Sequence, residues 1–144
     1  MTQALHEAQA AFDEGEVPVG AVIVLNNQII ARAHNRIEAS KDSTAHAEII
    51  AIGAAAGYIG DWRLDDCVLY STLEPCPMCA GAIINSRISK LVFGANDKRL
   101  GACGTACDLL SLGLLNRSIE VEKGIMQHEC LGIVQAFFKS VRKK

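Results

Sequence analysis

The sequence predicts an α/β protein, a three-layer α/β/α sandwich around a mixed sheet of about five strands. Near the N-terminus, two apolar strands are separated by only two residues, which is typical of a hairpin. After this hairpin, short apolar strands alternate with helices, and the last connection is long enough for a parallel crossover. The 144 residues contain no repeat or linker, so we expect residues 1–144 to form one domain.

In the first half of the chain, local patterns predict a helix, a hairpin and a second helix. Apolar residues at helical spacing indicate the first helix, and Asn26-Asn27 suits a tight turn between two strands. An Ala/Ile-rich run, with Thr44 as its N-cap and Gly57 past its end, indicates the second helix. The predicted elements are a helix over 3–14, strands over 19–25 and 28–34, and a helix over 45–56.

The second half predicts strands and helices in alternation. Two short apolar runs are typical of buried strands, and Pro75 opens the helix between them. The connection from Ala95 to Ser118 has room for a short helix, which a parallel crossover requires and a hairpin does not. The predicted elements are strands over 67–73, 90–94 and 119–124, and helices over 76–86, about 106–112 and about 127–141.

Composition excludes several classes of protein. The longest apolar runs are far shorter than the roughly 20 residues that cross a bilayer. The first residues lack the basic start and apolar segment of a signal peptide. We therefore expect a soluble, cytoplasmic protein without a membrane partner, whose six cysteines are buried residues or metal ligands and not a disulfide framework.

Charge is distributed unevenly along the chain. Residues 1–86 contain 4 Lys/Arg against 11 Asp/Glu, whereas residues 87–144 contain 10 against 5. The basic half ends in 139-KSVRKK-144, which favours an acidic ligand such as RNA. The alternative is a solvated helix end whose cations complement the helix dipole. Charge alone does not decide between these interpretations.

Two cysteines stand three residues apart at the start of a predicted helix. Cys76 and Cys79 therefore share one helix face and can bind one ion, although a C-x-x-C pair alone is equally typical of a redox site. In 46-HAE-48, His46 and Glu48 begin another predicted helix, where side chains at i and i+2 can converge beyond the helix end. His46, Cys76 and Cys79 form a ligand set suited to Zn²⁺, one ion per chain.

Three protein ligands leave the fourth zinc position to water, which is typical of a catalytic site. Zinc lowers the pKa of bound water to about 7, and Glu48 is placed to carry the proton. Two helix N-termini at the metal would also stabilise the thiolates. The alternative is a structural site closed by a fourth ligand, for which Cys103, Cys107 and His34 are candidates.

The motifs also support a resemblance to a known family. H-x-E followed by P-C-x-x-C is the signature of the zinc nucleobase deaminases, and the chain has 46-HAE-48 and 75-PCPMC-79. Over nearly its whole length the chain resembles the bacterial tRNA adenosine deaminases. The segments that carry this resemblance are 16-EVPVGAVIV-24, Asn35, 44-TAHAEI-49, 72-TLEPCPMCAGAI-83, 86-SRI-88, 92-VFGANDK-98 and 132-GIVQAFFKSVRKK-144.

The resemblance implies a cytidine-deaminase-like fold and a zinc-dependent homodimer. It implies hydrolytic conversion of adenosine to inosine at the wobble position of a tRNA anticodon, with an arginine tRNA as the expected partner. His46, Cys76 and Cys79 match the zinc ligands of the family. Glu48 matches the residue that takes a proton from water and delivers it to the base and to the departing ammonia.

The resemblance also implies substrate contacts. Asn35 is expected to hydrogen-bond the flipped nucleotide, the Ala47 N–H to face the base, and Asp97 to lie beside the nucleic-acid backbone. The alternatives are a strand-ending turn residue for Asn35 and a loop acid that bonds its own backbone for Asp97. Val17 and Leu73 are expected to line an apolar pocket for the extruded base, with buried core as their alternative.

Phe137 and Phe138 are neighbours in a predicted helix, where adjacent side chains point about 100° apart. The two rings therefore cannot both lie in the core, and we assign Phe138 to stacking on RNA. Three features depart from the family pattern. The sequence begins about one helical turn or more later than some members, which predicts an abbreviated first helix; 116-NR-117 stands in place of Asn-His; and Cys107 is an extra thiol. We expect these departures to affect tRNA selection more than deamination.

Two rival functions belong to different classes. A deaminase of a free base or nucleoside, such as guanine or cytosine, would share the zinc core but would need no basic surface. A catalytically silent zinc protein that binds RNA or serves as a dimer partner is the second rival. The intact Glu48 argues against the silent protein, and the charge asymmetry favours RNA over a free base.

Overall fold

A mixed sheet of five strands forms the middle layer of the computed structural model, which describes residues 1–143. The strands are β1 (Gly20–Leu25), β2 (Gln28–His34), β3 (Val68–Leu73), β4 (Lys90–Ala95) and β5 (Glu120–Lys123), in the spatial order β2-β1-β3-β4-β5. β1 is antiparallel to β2 and β3, whereas β3, β4 and β5 are parallel. The predicted mixed sheet and its parallel final crossover are confirmed.

Helices cover the sheet, as the predicted sandwich requires. They are α1 (Thr2–Asp13), α2 (Ile37–Ser40), α3 (Ala47–Ile59), α4 (Pro77–Asn85) and α5 (Gln127–Arg142). α1 packs against α5, where the rings of Phe12 and Phe137 meet edge to face with centroids 5.7 Å apart. α3 packs against β1, β2 and α4. The four-residue helix α2 is not among the predicted elements.

The turn between β1 and β2 follows its sequence signal. Asn26 and Asn27 both adopt positive φ, 52° and 63°, as a two-residue turn of type I′ requires. Asparagine tolerates this left-handed conformation better than most residues. The hairpin places β1 between β2 and β3, so the apolar side chains of β1 reach the core.

The core lies between the sheet and the helices. Its largest fully buried side chains include Ile23, Leu69, Leu91 and Phe93 from the strands and Ile83 from α4. Each such side chain contributes roughly 1.5–3 kcal/mol when it leaves water. The buried faces of β3 and β4 therefore fix the position of α4, and with it the position of the cysteines at the start of α4.

Both predicted ends of the second helix are wrong. The N-cap of α3 is His46 and not Thr44, because the Thr44 amide and hydroxyl both donate to Asp42 Oδ1, at 2.8 and 2.6 Å. The helix continues through Gly57 and ends at Gly60, whose φ of 82° is the left-handed conformation that glycine favours.

The start of α4 and the last connection also differ from prediction. α4 begins at Pro77, with Cys76 as its N-cap, and not directly behind Pro75. A helix at 106–112 is absent, since this part of the chain instead forms two short 3₁₀ turns, Leu110–Leu112 and Leu114–Asn116.

Of the basic tail, Lys144 lies outside the described residues. No helix within residues 1–143 has the length and apolar composition needed to span a bilayer.

Candidate metal centre and substrate pocket

Three potential metal ligands meet where two helices begin. His46 is the N-cap of α3, Cys76 is the N-cap of α4, and Cys79 lies in the first turn of α4. α4 follows the carboxyl end of β3, which is the usual position for a ligand site in an open α/β sheet. We call His46, Cys76 and Cys79 the metal triad. The sequence prediction that these residues converge is confirmed.

The spacing within the metal triad fits a tetrahedral zinc ion. His46 Nδ1 lies 3.6 Å from Cys76 Sγ and 3.5 Å from Cys79 Sγ. Tetrahedral bonds of about 2.3 Å to sulfur and about 2.1 Å to nitrogen would separate two such ligand atoms by about 3.6 Å. Two thiolates and an imidazole also match the ligand preference of Zn²⁺. Geometry and donor chemistry therefore both fit zinc.

The metal triad favours a thiolate. Hydrogen bonding with Cys79, together with the contact to His46, lowers the pKa of Cys76 to about 4. The same shared proton raises the pKa of Cys79, and the hydrogen bond with Cys76 raises the pKa of His46. A cysteine at a helix N-terminus is expected to ionise easily. One thiol of the site is thus readily ionised, and a bound cation would displace the remaining protons from the ligands.

Glu48, in the first turn of α3, is a buried carboxyl group with unused hydrogen-bonding capacity. It is only 3% exposed, and its Oε1 has no hydrogen-bond partner in the described part of the chain. Burial raises the pKa of Glu48 above the ordinary glutamate value. A carboxylate with raised proton affinity beside a metal site is suited to general acid–base chemistry.

The three proposed fourth ligands lie elsewhere. The His34 ring nitrogens contact Glu7 at 2.9 Å and Glu14 at 3.1 Å. The Cys103 thiol faces a backbone carbonyl at 3.9 Å, and Cys107 is exposed. Within residues 1–143, only the metal triad places three such ligand atoms within 4.8 Å of one another. The structure therefore favours an open three-ligand site over a closed structural one.

A pocket of about 180 Å³ opens beside the metal triad. Most of the predicted substrate residues line it, and Val17 and Leu73 form apolar walls. Ala47 and Phe138 do not line it. The lining residues are Val17, Val19, Asn35, Ile37, His46, Glu48, Leu73, Glu74, Cys76, Asp97, Arg99 and Leu100. The pocket thus has apolar side chains on its walls and reactive groups at the end where His46, Cys76 and Glu48 line it.

Asn35 connects the pocket wall to the start of α3. Its Nδ2 donates to the Val17 carbonyl oxygen at 3.1 Å, and its Oδ1 accepts the Ala47 N–H at 2.8 Å. The Ala47 N–H, expected to face the base, is therefore directed at Asn35 in this structure. It is one of the free amides of the first helical turn. A base can receive this N–H only after Asn35 rotates away.

One wall of the pocket belongs to the rim loop, which we define as residues 96–107. The Asp97 Oδ1 accepts the N–H groups of Arg99 and Leu100, at 3.0 and 3.2 Å. Asp97 is therefore a loop acid that hydrogen-bonds its own backbone, which was the alternative to its predicted role beside the nucleic acid. Arg99 and Leu100 line the pocket, although the sequence analysis did not single them out. Their only sequence signal was their position soon after the carboxyl end of β4.

A larger cavity of about 610 Å³, which we call the groove, shares four pocket residues and runs between the rim loop and α5. Phe138 lines it and is 42% exposed, whereas Phe137 is buried against Phe12. The prediction that only one of the adjacent rings enters the core is confirmed. The basic side chains of the groove are Lys98, Arg99 and Arg142.

Comparisons with known proteins extend over the whole chain. The family model described as MafB19-like deaminase matches residues 1–142. The chain is 50% identical over 144 residues to the tRNA-specific adenosine deaminase of Bacillus subtilis (strain 168), covering 100% of this chain and 89% of that relative.

Solved structures that resemble this chain include deaminases of two kinds. One, from a study of A-to-I editing by tRNA:A34 deaminases at the wobble position of transfer RNA, has a TM-score of 0.89 and 42% identity, covering 92% of this chain and 96% of that chain. Guanine deaminase from Bacillus subtilis has a TM-score of 0.63 and 42% identity, but the match covers 66% of this chain and 61% of that chain. The predicted cytidine-deaminase-like fold is confirmed.

Proposed function

The chain belongs to the family of tRNA-specific adenosine deaminases, and from this premise we propose that it converts adenosine to inosine at the wobble position of a tRNA anticodon. In this hydrolysis, water adds at C6 of adenine and ammonia leaves. The observation that carries the proposal is the buried, unpartnered Oε1 of Glu48 at the end of the pocket beside the metal triad.

We propose that one zinc ion per chain is the cofactor. His46 Nδ1, Cys76 Sγ and Cys79 Sγ would hold it, since their spacing and chemistry fit. When bound, zinc supplies the Lewis acidity that lowers the pKa of a coordinated water towards about 7.

Glu48 is assigned the proton transfers. Its carboxylate accepts a proton from the attacking water and delivers it to the adenine ring. A second transfer of a water-derived proton allows the amino group to leave as ammonia, and the base becomes hypoxanthine. The raised pKa of Glu48 suits this role, because a base with higher proton affinity accepts the proton more readily.

The substrate contacts follow from the pocket. Val17 and Leu73 are proposed to sandwich the extruded base, and Asn35 to hydrogen-bond the flipped nucleotide. Asp97 is proposed to lie near the nucleic-acid backbone, held by its bonds within the rim loop. The Ala47 N–H is proposed to contact the base if Asn35 turns away on substrate binding.

The groove supports an RNA substrate over a free base. A free base needs only the pocket, whereas the nucleotides that flank a wobble adenosine need a surface beside it. The groove offers an exposed ring at Phe138 for stacking and basic side chains for phosphates. An arginine tRNA is the proposed substrate.

We also propose that the protein is a homodimer. α3 and α4 contain one charged residue, Glu48, and that residue is buried. An uncharged helix layer is expected to be covered. Exposed apolar side chains on or beside this layer include Tyr58, Ile59, Trp62, Met78, Leu114 and Leu115. Light scattering should give twice the 15.4 kDa chain mass, and a single-chain mass would reject the dimer.

Residues 1–144 are proposed to act as one deaminase domain, in agreement with the family match over residues 1–142. A tRNA-modifying enzyme works where tRNA is found, so the cytoplasm is the proposed location.

The proposed activity is tested with zinc-loaded protein and an anticodon stem-loop of an arginine tRNA that carries a wobble adenosine. Inosine is measured by digestion and chromatography. The matched control is the same stem-loop with the adenosine moved by one position, and free adenosine, guanine and cytosine are assayed in parallel.

Inosine at the wobble position, with little product from the shifted loop, is the expected result. Product from guanine or cytosine alone, by protein that holds one zinc ion per chain, would replace the proposal with the free-base alternative.

A further inference from the structure

A buried carboxylate that was not among the predicted site residues holds the rim loop in place. Glu74 is 2% exposed and lies between the pocket residue Leu73 and Pro75. Its Oε1 accepts the Asp97 N–H at 3.1 Å, and its Oε2 accepts the N–H groups of Cys103 and Thr105, at 3.0 and 3.1 Å. One side chain thus binds both ends of the loop.

The rim loop is shaped to admit this carboxylate. A Cβ atom added to Gly101 would lie 2.4 Å from Glu74 Cδ, 2.5 Å from its Oε1 and 2.5 Å from the Asp97 carbonyl oxygen. Because real Cβ atoms do not approach other atoms so closely, any larger residue at this position would displace the carboxylate and the loop backbone at Asp97. The glycine is therefore required by close packing of the loop around Glu74.

Backbone bonds attach the same loop to the segment that enters α4. The Ala102 N–H donates to the Pro75 carbonyl oxygen at 2.9 Å, and the Glu74 N–H donates to the Ala95 carbonyl oxygen at 2.8 Å. A buried carboxylate is costly unless such bonds satisfy it. An apolar side chain in this place would leave the Asp97, Cys103 and Thr105 N–H groups without an acceptor, so the conformation of the rim loop depends on the acid.

We propose that Glu74 is a positioning residue for the substrate, which fixes the rim loop and through it the pocket walls formed by Asp97, Arg99 and Leu100. This inference rests on the proposed function for its substrate. Glu74 lines the pocket, but the hydrogen bonds that its carboxylate accepts all come from the rim loop. The metal triad and Glu48 are held by helix starts, so loosening the rim loop should weaken substrate binding and leave the chemical step intact.

The first test is Glu74→Gln. Glutamine has one acceptor oxygen, which can keep the bonds to Cys103 and Thr105 while its NH₂ group faces the Asp97 N–H. We expect KM for the anticodon stem-loop to rise about tenfold, the effect of one buried hydrogen bond to a charged group. We expect kcat per zinc-loaded chain to stay within about twofold. A role in stability alone would lower the melting temperature and leave KM unchanged.

A second variant perturbs the contact from the loop side. Gly101→Ala keeps the Glu74 carboxylate but pushes both it and the Asp97 carbonyl of the loop out of place, so a rise in KM at least as large is expected. The matched control is Gly132→Ala, because a Cβ at Gly132 meets nothing within 4 Å and this residue does not line the groove.

Hydrogen exchange of the rim-loop amides separates this proposal from the proposed function. In Glu74→Gln, the Asp97 amide should exchange at least about tenfold faster than in the wild type, whether or not the protein deaminates tRNA. A wild type without activity on RNA would reject the function, and the exchange rates would still decide whether Glu74 fixes the loop. Unchanged exchange, or a fall in kcat at constant KM in both variants, would overturn the proposal.

Discussion

The two parts of the site are built in different ways. The metal end, meaning the metal triad with Glu48, comes from the first turns of α3 and α4. α3 packs on β1 and β2, and α4 packs against α3 and contributes buried side chains to the core. The rim loop and the end of α5 carry the groove. The position of the loop depends on hydrogen bonds to the Glu74 side chain, and the end of α5 contributes partly exposed side chains such as Phe138. Reactive groups therefore lie on rigid elements, whereas the surface for the substrate is formed by a loop and a helix terminus.

This difference matches the demands on each part. Catalytic groups need distances held to a fraction of an ångström. A surface that accepts an RNA loop must contact several nucleotides and can adjust to them. We therefore expect substitutions at the metal end to reduce kcat and substitutions around the groove to change KM.

The largest expected effect is that of Glu48→Gln. Glutamine keeps the shape of the side chain but cannot accept the proton, so turnover of the stem-loop should fall by about 10³-fold or more. Zinc content, measured by atomic absorption, should remain one ion per chain because Glu48 is not among the ligands. Stem-loop binding should change little.

Normal turnover of the stem-loop by Glu48→Gln would contradict the expectation that substitutions at the metal end reduce kcat. Loss of zinc from this variant would give Glu48 a role in metal binding that its unpartnered oxygen does not indicate. The wild-type protein with the same zinc content is the control.

Phe138→Ala should have a smaller effect, confined to the groove. Stacking of one base on an aromatic ring contributes about 1–3 kcal/mol, so KM should rise roughly 5- to 150-fold with kcat nearly constant. Ile29→Ala is the matched control, because Ile29 has similar exposure, 39%, on β2 and does not line the groove. An unchanged KM would remove Phe138 from the RNA surface.

Arg142→Gln should change the salt dependence of RNA binding. If Arg142 contacts one phosphate, the slope of log binding constant against log salt should fall by about 1. Arg32→Gln, on β2, removes the same charge outside the groove and should leave the slope unchanged. Equal slopes for both variants and the wild type would show that the charge of Arg142 does not contact RNA.

The metal end could be predicted from sequence because its signals are local. Cysteines at i and i+3, and a histidine with an acid at i and i+2, face one ion when they begin helices, whatever the rest of the fold. The boundaries of α3 could not be predicted as well, because more than one residue near each end has the side chain or backbone freedom of a helix cap. Thr44 resembled an N-cap, yet Asp42 binds its hydroxyl, and Gly57 resembled a stop, yet the helix continues to Gly60.

The rim could not be predicted in the same way, since its contacts join residues far apart in sequence. Glu74 binds amides 23 to 31 positions away, and no periodicity reports such contacts. Glu74 follows β3 directly and precedes the ligand Cys76 by two residues, but its burial depends on the folded rim loop and so cannot be predicted from these local neighbours. The hydrogen bond between Asn35 and Ala47 also joins separate parts of the chain. Because of it, the Ala47 N–H is directed at Asn35 Oδ1 and not at the pocket, as had been expected.

The smallest expected effect concerns His34, which lies next to Asn35 but outside both parts of the site. Burial lowers the pKa of His34, but hydrogen bonds to Glu7 and Glu14 outweigh it, so the pKa in the folded state is raised. A raised pKa contributes stability that is fully present below the unfolded value of about 6.5 and is lost as the pH rises through the folded value.

His34→Gln should therefore lower the melting temperature by roughly 2–4 °C at pH 6 and by less at pH 9, with wild-type turnover per zinc-loaded chain. A difference that grew with pH would contradict the assigned protonation. A fall in kcat would show that the metal end depends on the contact between α1 and β2 as well as on the caps of α3 and α4, which would weaken the contrast between the two parts of the site.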